Sequence, residues 1–224
     1  MVKNIKEWCR QYKTLSIMGI YMVLYLVAFF YLEQRRVSYH VIHFGIDAYI
    51  PFCEYFVVPY ILWFGYVAFT VVWLCLKDKE EGAKLAAFLM AGMTIFLIIS
   101  ALFPNGHHLR PKTFARDNIF VYMVKKIYAA DTSTNVVPSI HVYNSIAVMI
   151  AVWRTKLLKK HTVIKWAMLF LGASIICSTV FIKQHSMLDV LTAFILSSLM
   201  YAICYRSEAA GNENLSETRA KYKY

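Results

Sequence analysis

The stretch FIKQHSMLDV, from Phe181 to Val190, places a lysine, a glutamine, a histidine and an aspartate between two long apolar runs. The preceding run extends from Val163 to Ile182 and the following one from Met187 to Tyr205, and each is long enough to cross the hydrocarbon core of a bilayer. Ionisable side chains cost free energy near hydrocarbon, so they are usually functional or paired where they occur. The stretch therefore predicts two membrane spans joined by a polar site or a charge pair.

The composition extends this prediction to the whole chain. Of its 224 residues, 59% are hydrophobic and only 17% are charged, and its mean hydropathy is +0.50, which is far more apolar than a soluble domain. The sequence predicts an all-α polytopic membrane protein with six transmembrane helices in one bundle over residues 1–206, followed by a cytoplasmic, disordered tail over residues 207–224. The six predicted spans are Leu15–Leu32, Phe56–Leu76, Leu85–Phe103, Ile140–Trp153, Val163–Ile182 and Met187–Tyr205, of which the fourth is the shortest.

The first run is interpreted as a retained helix. It is longer than a secretion-signal core, and the sequence YLEQRR that follows it contains no small-x-small cleavage site. Five cysteines, at positions 9, 53, 75, 177 and 204, are scattered and lack the paired spacing of a zinc site. They predict neither a disulfide scaffold nor a metal centre.

The distribution of positive charge predicts the orientation. If the amino terminus is cytoplasmic, sixteen of the 24 lysines and arginines fall on the cytoplasmic side, so both termini are expected there. The net charge of +11 is then explained by topology and by attraction to anionic lipid. No RNA-binding or DNA-binding motif is present, so a nucleic-acid partner is not expected.

One long connection, Pro104–Val137, separates spans three and four. Within it, Asp117 is expected to cap a short helix that lies on the membrane surface. The apolar face of this helix would consist of Phe120, Met123, Val124 and Ile127.

Three polar clusters that are far apart in the sequence fall on the extracytoplasmic side under this topology. They are FPNGHHLRPKTF after span three, NVVPSIHVYNS before span four and KQHSMLDV before span six. Chance placement would have scattered them over both sides. Their position on one face of the bundle predicts a common site.

Each cluster has a functional and a structural interpretation. His185 and Asp189 lie one helical turn apart, so the carboxylate either orients the imidazole or only pairs with it to hold helices together. Ser139 can cap span four and leave backbone N–H groups free for an anion, or His141 simply lies at an ordinary helix start. Arg110 suits phosphate oxygens, or it anchors the end of span three at the membrane surface.

Together these side chains include a nucleophile, an acid and an oxyanion cradle, which phosphoryl transfer through a covalent intermediate requires. The sequence resembles the type 2 phosphatidic acid phosphatase (PAP2) superfamily, whose motifs are Lys-x6-Arg-Pro, Pro-Ser-Gly-His and Ser-Arg-x5-His-x3-Asp. The corresponding residues here are Arg110-Pro111, then Pro138-Ser139-Ile140-His141, then Ser178-Thr179 with His185 and Asp189 at the same spacing.

The resemblance implies a PAP2-type catalytic domain over residues 1–206 and a role for each matching residue. His185 would be the nucleophile, Asp189 its orienting partner and His141 the acid that protonates the leaving oxygen. Arg110, Ser139 and the N–H of Ile140 would hold the phosphate. The implied mechanism needs no metal ion and no cofactor, and a metal site built from the residues His107, His108 and Asp117 would have no recognisable ligand spacing.

The sequence departs from the family motifs at three positions. The motif lysine is Phe103, the motif glycine is Ile140 and the motif arginine is Thr179. Two phosphate-binding cations are therefore missing, and Lys183 is the best candidate to replace them, with Lys112, His107 and His108 as weaker ones. The same losses resemble the branch of sphingomyelin and inositol phosphorylceramide synthases, which transfer the phosphoryl headgroup to an alcohol.

Three hypotheses for the function follow. The first is a membrane phosphatase that hydrolyses a lipid phosphomonoester or pyrophosphate of the phosphatidic acid, phosphatidylglycerophosphate or undecaprenyl pyrophosphate type through a phosphohistidine. The second is a lipid headgroup transferase that shares the first half-reaction. The third is a non-catalytic lipid-binding protein or transporter. The expected partners are a lipid phosphate and the bilayer of the cell membrane, with the site at its extracytoplasmic face.

Overall fold

The computed structural model describes the backbone of residues 12–221 and the side chains of residues 12–205. The predicted cytoplasmic cations Lys3, Lys6 and Arg10 lie outside these residues. The helices are α1 (Lys13–Glu33), α2 (Val57–Lys77), α3 (Lys79–Leu102), α4 (Ile119–Ala130), α5 (Ile140–Arg154), α6 (Thr162–Phe181) and α7 (Met187–Lys221). Two short parallel strands, β1 (His40–Val41) and β2 (Asn105–Gly106), pair the connections that precede α2 and α4, and single 3-10 turns occupy Gly45–Ala48, Glu54–Phe56 and Lys156–Leu158.

The described residues form an all-α membrane bundle. Five of their helices are long and apolar enough to cross a bilayer, and these match five of the six predicted spans. Large apolar side chains on them face outward, for example Ile20, Phe64 and Phe170, which are 66%, 69% and 77% exposed. Lipid is the environment in which such a surface is stable.

The fourth predicted span is α5, and its crossing of the membrane stays a prediction. It contains 15 residues, which at 1.5 Å per residue is about 22 Å, shorter than a hydrocarbon core of about 30 Å. It packs against α3, α6 and α7, and one face of it is buried along its whole length, including Val142, Tyr143, Val148 and Val152. The polar residues of α5 are tolerated because this helix is packed mainly against other helices and has little surface left for lipid.

Close contact between α3 and α5 sets the centre of the bundle. A Cβ atom on Gly92 would lie 2.1 Å from the ring of Tyr143, so only glycine allows this approach. The Tyr143 hydroxyl donates to the carbonyl of Phe88 at 2.8 Å. This contact fixes α5, and with it the residues at its amino-terminal end.

The helix in the long connection is present, with one correction to the predicted cap. Asn118 is the N-cap of α4 and accepts from the N–H of Val121 at 3.0 Å, whereas Asp117 is exposed and forms an ion pair with Lys125. The predicted apolar face packs against protein, since Phe120, Met123, Val124 and Ile127 surround Val57, Tyr60 and Ile182. The helix therefore covers the end of the bundle next to the α6–α7 connection.

The last helix continues along the backbone to Lys221, past Tyr205, where the sixth predicted span ends. This helix occupies most of the stretch for which the sequence predicts a disordered tail. The boundary at residue 206 and the separate character of residues 207–224 stay predictions.

Candidate active site

The connection between α6 and α7 turns the chain back into the bundle over residues 182–186. The carbonyl of Thr179, in the last turn of α6, accepts from the N–H groups of Gln184 and His185 at 2.9 and 3.0 Å. Lys183 adopts the left-handed conformation with φ 54°, which commonly ends a helix but favours glycine. This sharp reversal directs His185 into the space between the helices.

His185 and Asp189 are in contact, as their spacing predicts. The Nδ1–H of His185 donates to Oδ2 of Asp189 at 3.1 Å, and the same oxygen accepts from the N–H of Ser186 at 2.9 Å. The hydroxyl of Ser186 accepts from the N–H of Leu188 at 3.2 Å, so Ser186 and Asp189 form a reciprocal cap at the start of α7. The carboxylate is therefore fixed, and it leaves Nε2 of His185 without a proton.

His141 lies directly opposite this nitrogen. Its Nδ1 is 3.4 Å from Nε2 of His185, so the two histidines predicted from separate motifs meet across the site. The His141 ring packs against two aromatic rings of α2, with centroids 4.7 Å away at Tyr60 and 4.2 Å away at Trp63. Sequence reasoning missed these contacts, because an aromatic residue in an apolar run is usually core or interface.

The start of α5 supplies backbone donors beside the histidines. Ser139 is the N-cap and accepts from the N–H of Val142 at 3.4 Å, which confirms its predicted capping role. The side-chain oxygen of Asn105 accepts from the N–H groups of Val136 and Val137 at 2.9 and 3.0 Å and holds the turn before the helix. No described residue accepts from the N–H of Ile140 or of His141, so this helix end is open to an anion.

Arg110 is mostly occupied by the protein itself. Its Nη1 donates to the carbonyls of Tyr128 and Asp131, and its Nη2 donates to the carbonyl of Thr132 and to Oε1 of Gln184. These four bonds use all four Nη hydrogens. The remaining donor, Nε–H, is buried and has no partner among residues 12–205. Arg110 thus positions α4 and Gln184, and its remaining donor is enclosed by protein.

Lys183 is also largely occupied. Its ammonium donates to the backbone carbonyls of Asp47 and Ile50 at 2.9 and 2.5 Å, which leaves one of its three hydrogens. The side chain of Asp47 accepts from the Ser186 hydroxyl at 2.6 Å and from the N–H of Met187 at 2.8 Å. The segment before α2 therefore holds the α6–α7 connection from both sides, and sequence reasoning missed the role of Asp47.

Gln184 is a further site residue that the motifs do not identify. It is 3% exposed, and together with His141 and His185 it lines a small cavity of about 30 Å³. Its Nε2 makes no hydrogen bond of good geometry to another described residue, although the Tyr60 hydroxyl lies beside the amide. The unusual polar run KQH was the only sequence signal for it.

Electrostatics favour a neutral imidazole at the centre of the site. Burial, and after it the positive charge of Arg110, lowers the pKa of His185 to about 3. Burial also lowers the pKa of His107 to about 4, and both of its ring nitrogens are bonded, Nε2 to the carbonyl of Gln184 and Nδ1 to the N–H of Leu109. His107 is therefore neutral and adds no positive charge.

The two positions at which the motifs have cations carry other contacts. Phe103 stacks on His40 with ring centroids 4.4 Å apart, and the buried hydroxyl of Thr179 donates to the carbonyl of Ile176 at 2.7 Å. Among the described residues, no group of three histidine, cysteine, aspartate or glutamate side chains is close enough to hold a metal ion.

A long apolar groove leads to the histidines from the side of the bundle. Its volume is about 700 Å³, and it lies between α1 and α2 over α3 and α5. Along α1 it is lined from Leu15 to Phe29, which is about 21 Å at 1.5 Å per residue and longer than one leaflet of hydrocarbon, about 15 Å. His141 lies in its wall, so an acyl-sized chain in the groove would place its head at the histidine pair.

Comparison with known proteins gives one match. The model of the family described as PAP2 superfamily matches residues 109–212, a range that contains Arg110, the start of α5 and the whole of the third motif. Phe103 lies outside the matched range. No curated protein and no solved structure matches the chain.

Proposed function

Because residues 109–212 match the model of the PAP2 superfamily, we propose that this membrane protein is a phosphatase that hydrolyses a lipid phosphomonoester or pyrophosphate through a phosphohistidine. The observation that carries the proposal is the buried histidine pair at the head of the apolar groove. Nε2 of His185 is 3.4 Å from Nδ1 of His141, and Asp189 fixes the ring of His185 from the other side. This arrangement suits a nucleophile paired with a general acid.

In the first step, the lone pair on Nε2 of His185 attacks phosphorus, an N–P bond forms and the P–O bond to the leaving group breaks. His141 enters this step as the imidazolium and gives one of its two ring protons to the departing oxygen, which leaves its ring neutral. The carboxylate of Asp189 keeps the Nδ1 proton of His185 and offsets the positive charge that the ring acquires. The lipid alcohol, or the lipid monophosphate when the substrate is a pyrophosphate, then leaves along the groove.

In the second step, water attacks phosphorus and transfers a proton to His141, which now acts as the base. The N–P bond breaks, inorganic phosphate leaves, and both histidines return to their starting state. The alternative acceptor is an alcohol, which would replace water in this step only.

The phosphate cradle combines predicted and newly found donors. Arg110, Ser139 and the N–H of Ile140 are the predicted set, and the open end of α5 supports the part of this set that the helix start supplies. Gln184 adds a buried amide next to the nucleophile. A contact between Lys183 and the phosphate stays a prediction. Two of the three ammonium hydrogens are bonded to backbone carbonyls, so one hydrogen is left for such a contact.

We also propose that the protein lies in the cell membrane with both termini cytoplasmic and the site extracytoplasmic. The proposal rests on the two-to-one excess of lysine and arginine on the segments assigned to the cytoplasm. A lipid phosphate of the outer leaflet would then enter the groove laterally.

The direct test is release of inorganic phosphate by purified protein from phosphatidic acid, phosphatidylglycerophosphate, undecaprenyl pyrophosphate and a sphingoid phosphate, with and without an alcohol acceptor. We expect release from at least one lipid without an acceptor, and none from His185→Ala. Product formation that depends strictly on the alcohol would identify a transferase. Release of phosphate by His185→Ala at the wild-type rate would refute the phosphohistidine mechanism.

A further inference from the structure

A second apolar groove lies on the strip of α5 that the other helices leave uncovered, on the face of α5 away from the first groove. Its volume is about 590 Å³, and it runs between α6 and α7 with α5 as its floor. Helices α6 and α7 both pack against α5 but scarcely against each other within the described residues, so the groove opens to the bilayer between them. Its lining is apolar except at one end, and includes Ile146 and Ile150 of α5, Ala173 of α6 and Phe194 of α7.

The second groove has the length of one leaflet and ends at a positive charge. Along α5 it extends from Ile146 to Arg154, which is about 12 Å at 1.5 Å per residue, close to the roughly 15 Å of hydrocarbon in one leaflet. Helix α5 begins beside the histidine pair and ends at Arg154, so the charged end of the groove lies at the opposite end of the bundle. An acyl chain in the groove would place its headgroup at Arg154.

Basic side chains surround this end of the groove. Residues 154–165 contain one arginine and four lysines, whereas residues 132–188 contain no aspartate or glutamate. Glu81 offsets the charge of Arg154, with its Oε2 3.7 Å from Nε. None of the four lysines forms an ion pair with another of residues 12–205, and three of them, Lys156, Lys159 and Lys160, are exposed. The charge that remains at the mouth of the groove is therefore positive.

Two tryptophans mark the level at which the groove meets the membrane surface. Trp153 lines the groove and packs edge to face on Trp166 with ring centroids 6.0 Å apart, and the two are 55% and 59% exposed. The ammonium of Lys165 lies 4.1 Å from the centroid of the Trp153 ring and donates to the carbonyl of Trp153 at 2.8 Å. Tryptophan is enriched at the level of lipid headgroups, so Lys165 is held at the depth of a lipid phosphate.

We propose that the second groove binds one acidic phospholipid of the leaflet opposite to the histidines, with an acyl chain between α6 and α7 and the phosphate at Lys165 and its neighbouring lysines. A zwitterionic phospholipid has the same chains, but its ammonium group would lie among these lysines, and like charges repel. A second copy of this chain, related by a two-fold axis along the membrane normal, would bring its own basic segment to the same level. The site lies on the other face of α5 from His141 and does not depend on the proposed phosphatase activity.

The experiment measures lipid retained by the purified full-length protein with native mass spectrometry, after exchange against phosphatidylglycerol or phosphatidylcholine of the same acyl chains. The variant Lys156→Gln/Lys165→Gln removes two charges at the mouth of the groove. Its control, Lys77→Gln/Lys79→Gln, removes two exposed lysines at the same end of the bundle that do not line the groove.

A second pair of variants tests the groove itself and leaves every charge in place. Ala173→Phe fills the middle of the groove with a ring. Ala167→Phe makes the same change at an exposed position of α6 that does not line the groove. Glycerol phosphate, which has the headgroup but no acyl chain, is added to the wild type, and its effect on the thermal midpoint is compared with that of phosphatidylglycerol.

The wild type and both controls are expected to retain one phosphatidylglycerol and to prefer it on the order of twentyfold, about fivefold for each of two lysines. The lysine variant should lose most of this preference and keep its affinity for phosphatidylcholine, whereas Ala173→Phe should lose the retained lipid. Equal retention of the two lipids by the wild type, or an equal loss in Lys77→Gln/Lys79→Gln, would overturn the site. So would stabilisation by glycerol phosphate alone, or a dimer that Ala173→Phe dissociates.

Discussion

Replacing Asp47 by alanine is expected to impair the enzyme even though Asp47 lies outside every motif. Its carboxylate accepts from the Ser186 hydroxyl, from the N–H of Met187 and, at 2.9 Å, from the N–H of Phe44. Asp47 is 3% exposed, so the substitution leaves buried donors at the start of α7 without an acceptor. Those donors immediately follow His185 in the chain.

The size of the effect follows from these contacts. Two donors left without an acceptor cost about 1–3 kcal/mol each, so a loss of roughly 2–6 kcal/mol is expected in the free energy of unfolding. For a domain of this size, that corresponds to a fall of about 4–24 °C in the thermal midpoint. A shift of His185 by about 1 Å would lower kcat on the order of a hundredfold.

The assay measures the thermal midpoint and the kinetics of the detergent-solubilised protein for three variants. Asp47→Asn keeps one acceptor oxygen and should lose less than half as much stability as Asp47→Ala. Asp117→Ala removes an acid whose side chain is 95% exposed, and it should behave as the wild type. Wild-type stability and kcat in Asp47→Ala would refute the role given to the segment before α2.

Three further predictions address charge, orientation and pH. Lys183→Met should lower kcat. If Lys183 acts only by holding the α6–α7 connection, the losses of kcat in Lys183→Met and Asp47→Ala should not add in the double variant. Full additivity would indicate that Lys183 contacts the phosphate separately. An impermeant thiol reagent added outside intact cells should label a cysteine at exposed position 112 and not one at 160, and the reverse pattern would invert the topology. The pKa of His107 is about 4 in the folded state and about 6.5 in the unfolded state, so the unfolded state binds more protons between these pH values. The free energy of unfolding should therefore fall as the pH drops from about 6.5 to 4. This pH dependence should be weaker in His107→Gln.

The local parts of the fold and site were predictable from the sequence. Five of the six spans follow from long apolar runs, and they coincide with helices of the structure. The contact between His185 and Asp189 depends on residues four apart in one chain segment. The cap at Ser139 is equally local. Such features are determined by helix geometry and need no knowledge of the rest of the molecule.

The parts that were missed depend on contacts between distant segments. Asp47 bonds to residues about 140 positions away in the chain, and Tyr60 and Trp63 reach His141 from another helix. No periodicity or motif carries that information. The fourth predicted span is the shortest apolar run for a related reason. A helix that is largely surrounded by other helices, as α5 is, does not need an apolar residue at every position.

The cap of α4 shows a limit of local reasoning itself. Asp117 and Asn118 are adjacent, and both residue types are favoured at an N-cap. Asn118 takes the position in the structure, where its side-chain nitrogen also donates to Glu54 at 3.1 Å. That second bond, to a residue before α2, favours Asn118 over Asp117 as the N-cap, a choice that the sequence alone does not make.

The central claim is the phosphohistidine at His185, and His141→Ala offers the most direct measurement. An aryl phosphate ester carrying one acyl chain has a leaving group that needs no acid, so this variant should complete the first step but lack the base for the second. The account predicts a burst of phenol equal to one per site and an acid-labile, alkali-stable phosphate that mass spectrometry assigns to residue 185. Phosphate on another residue, such as Ser139, or steady turnover with none on His185, would contradict it.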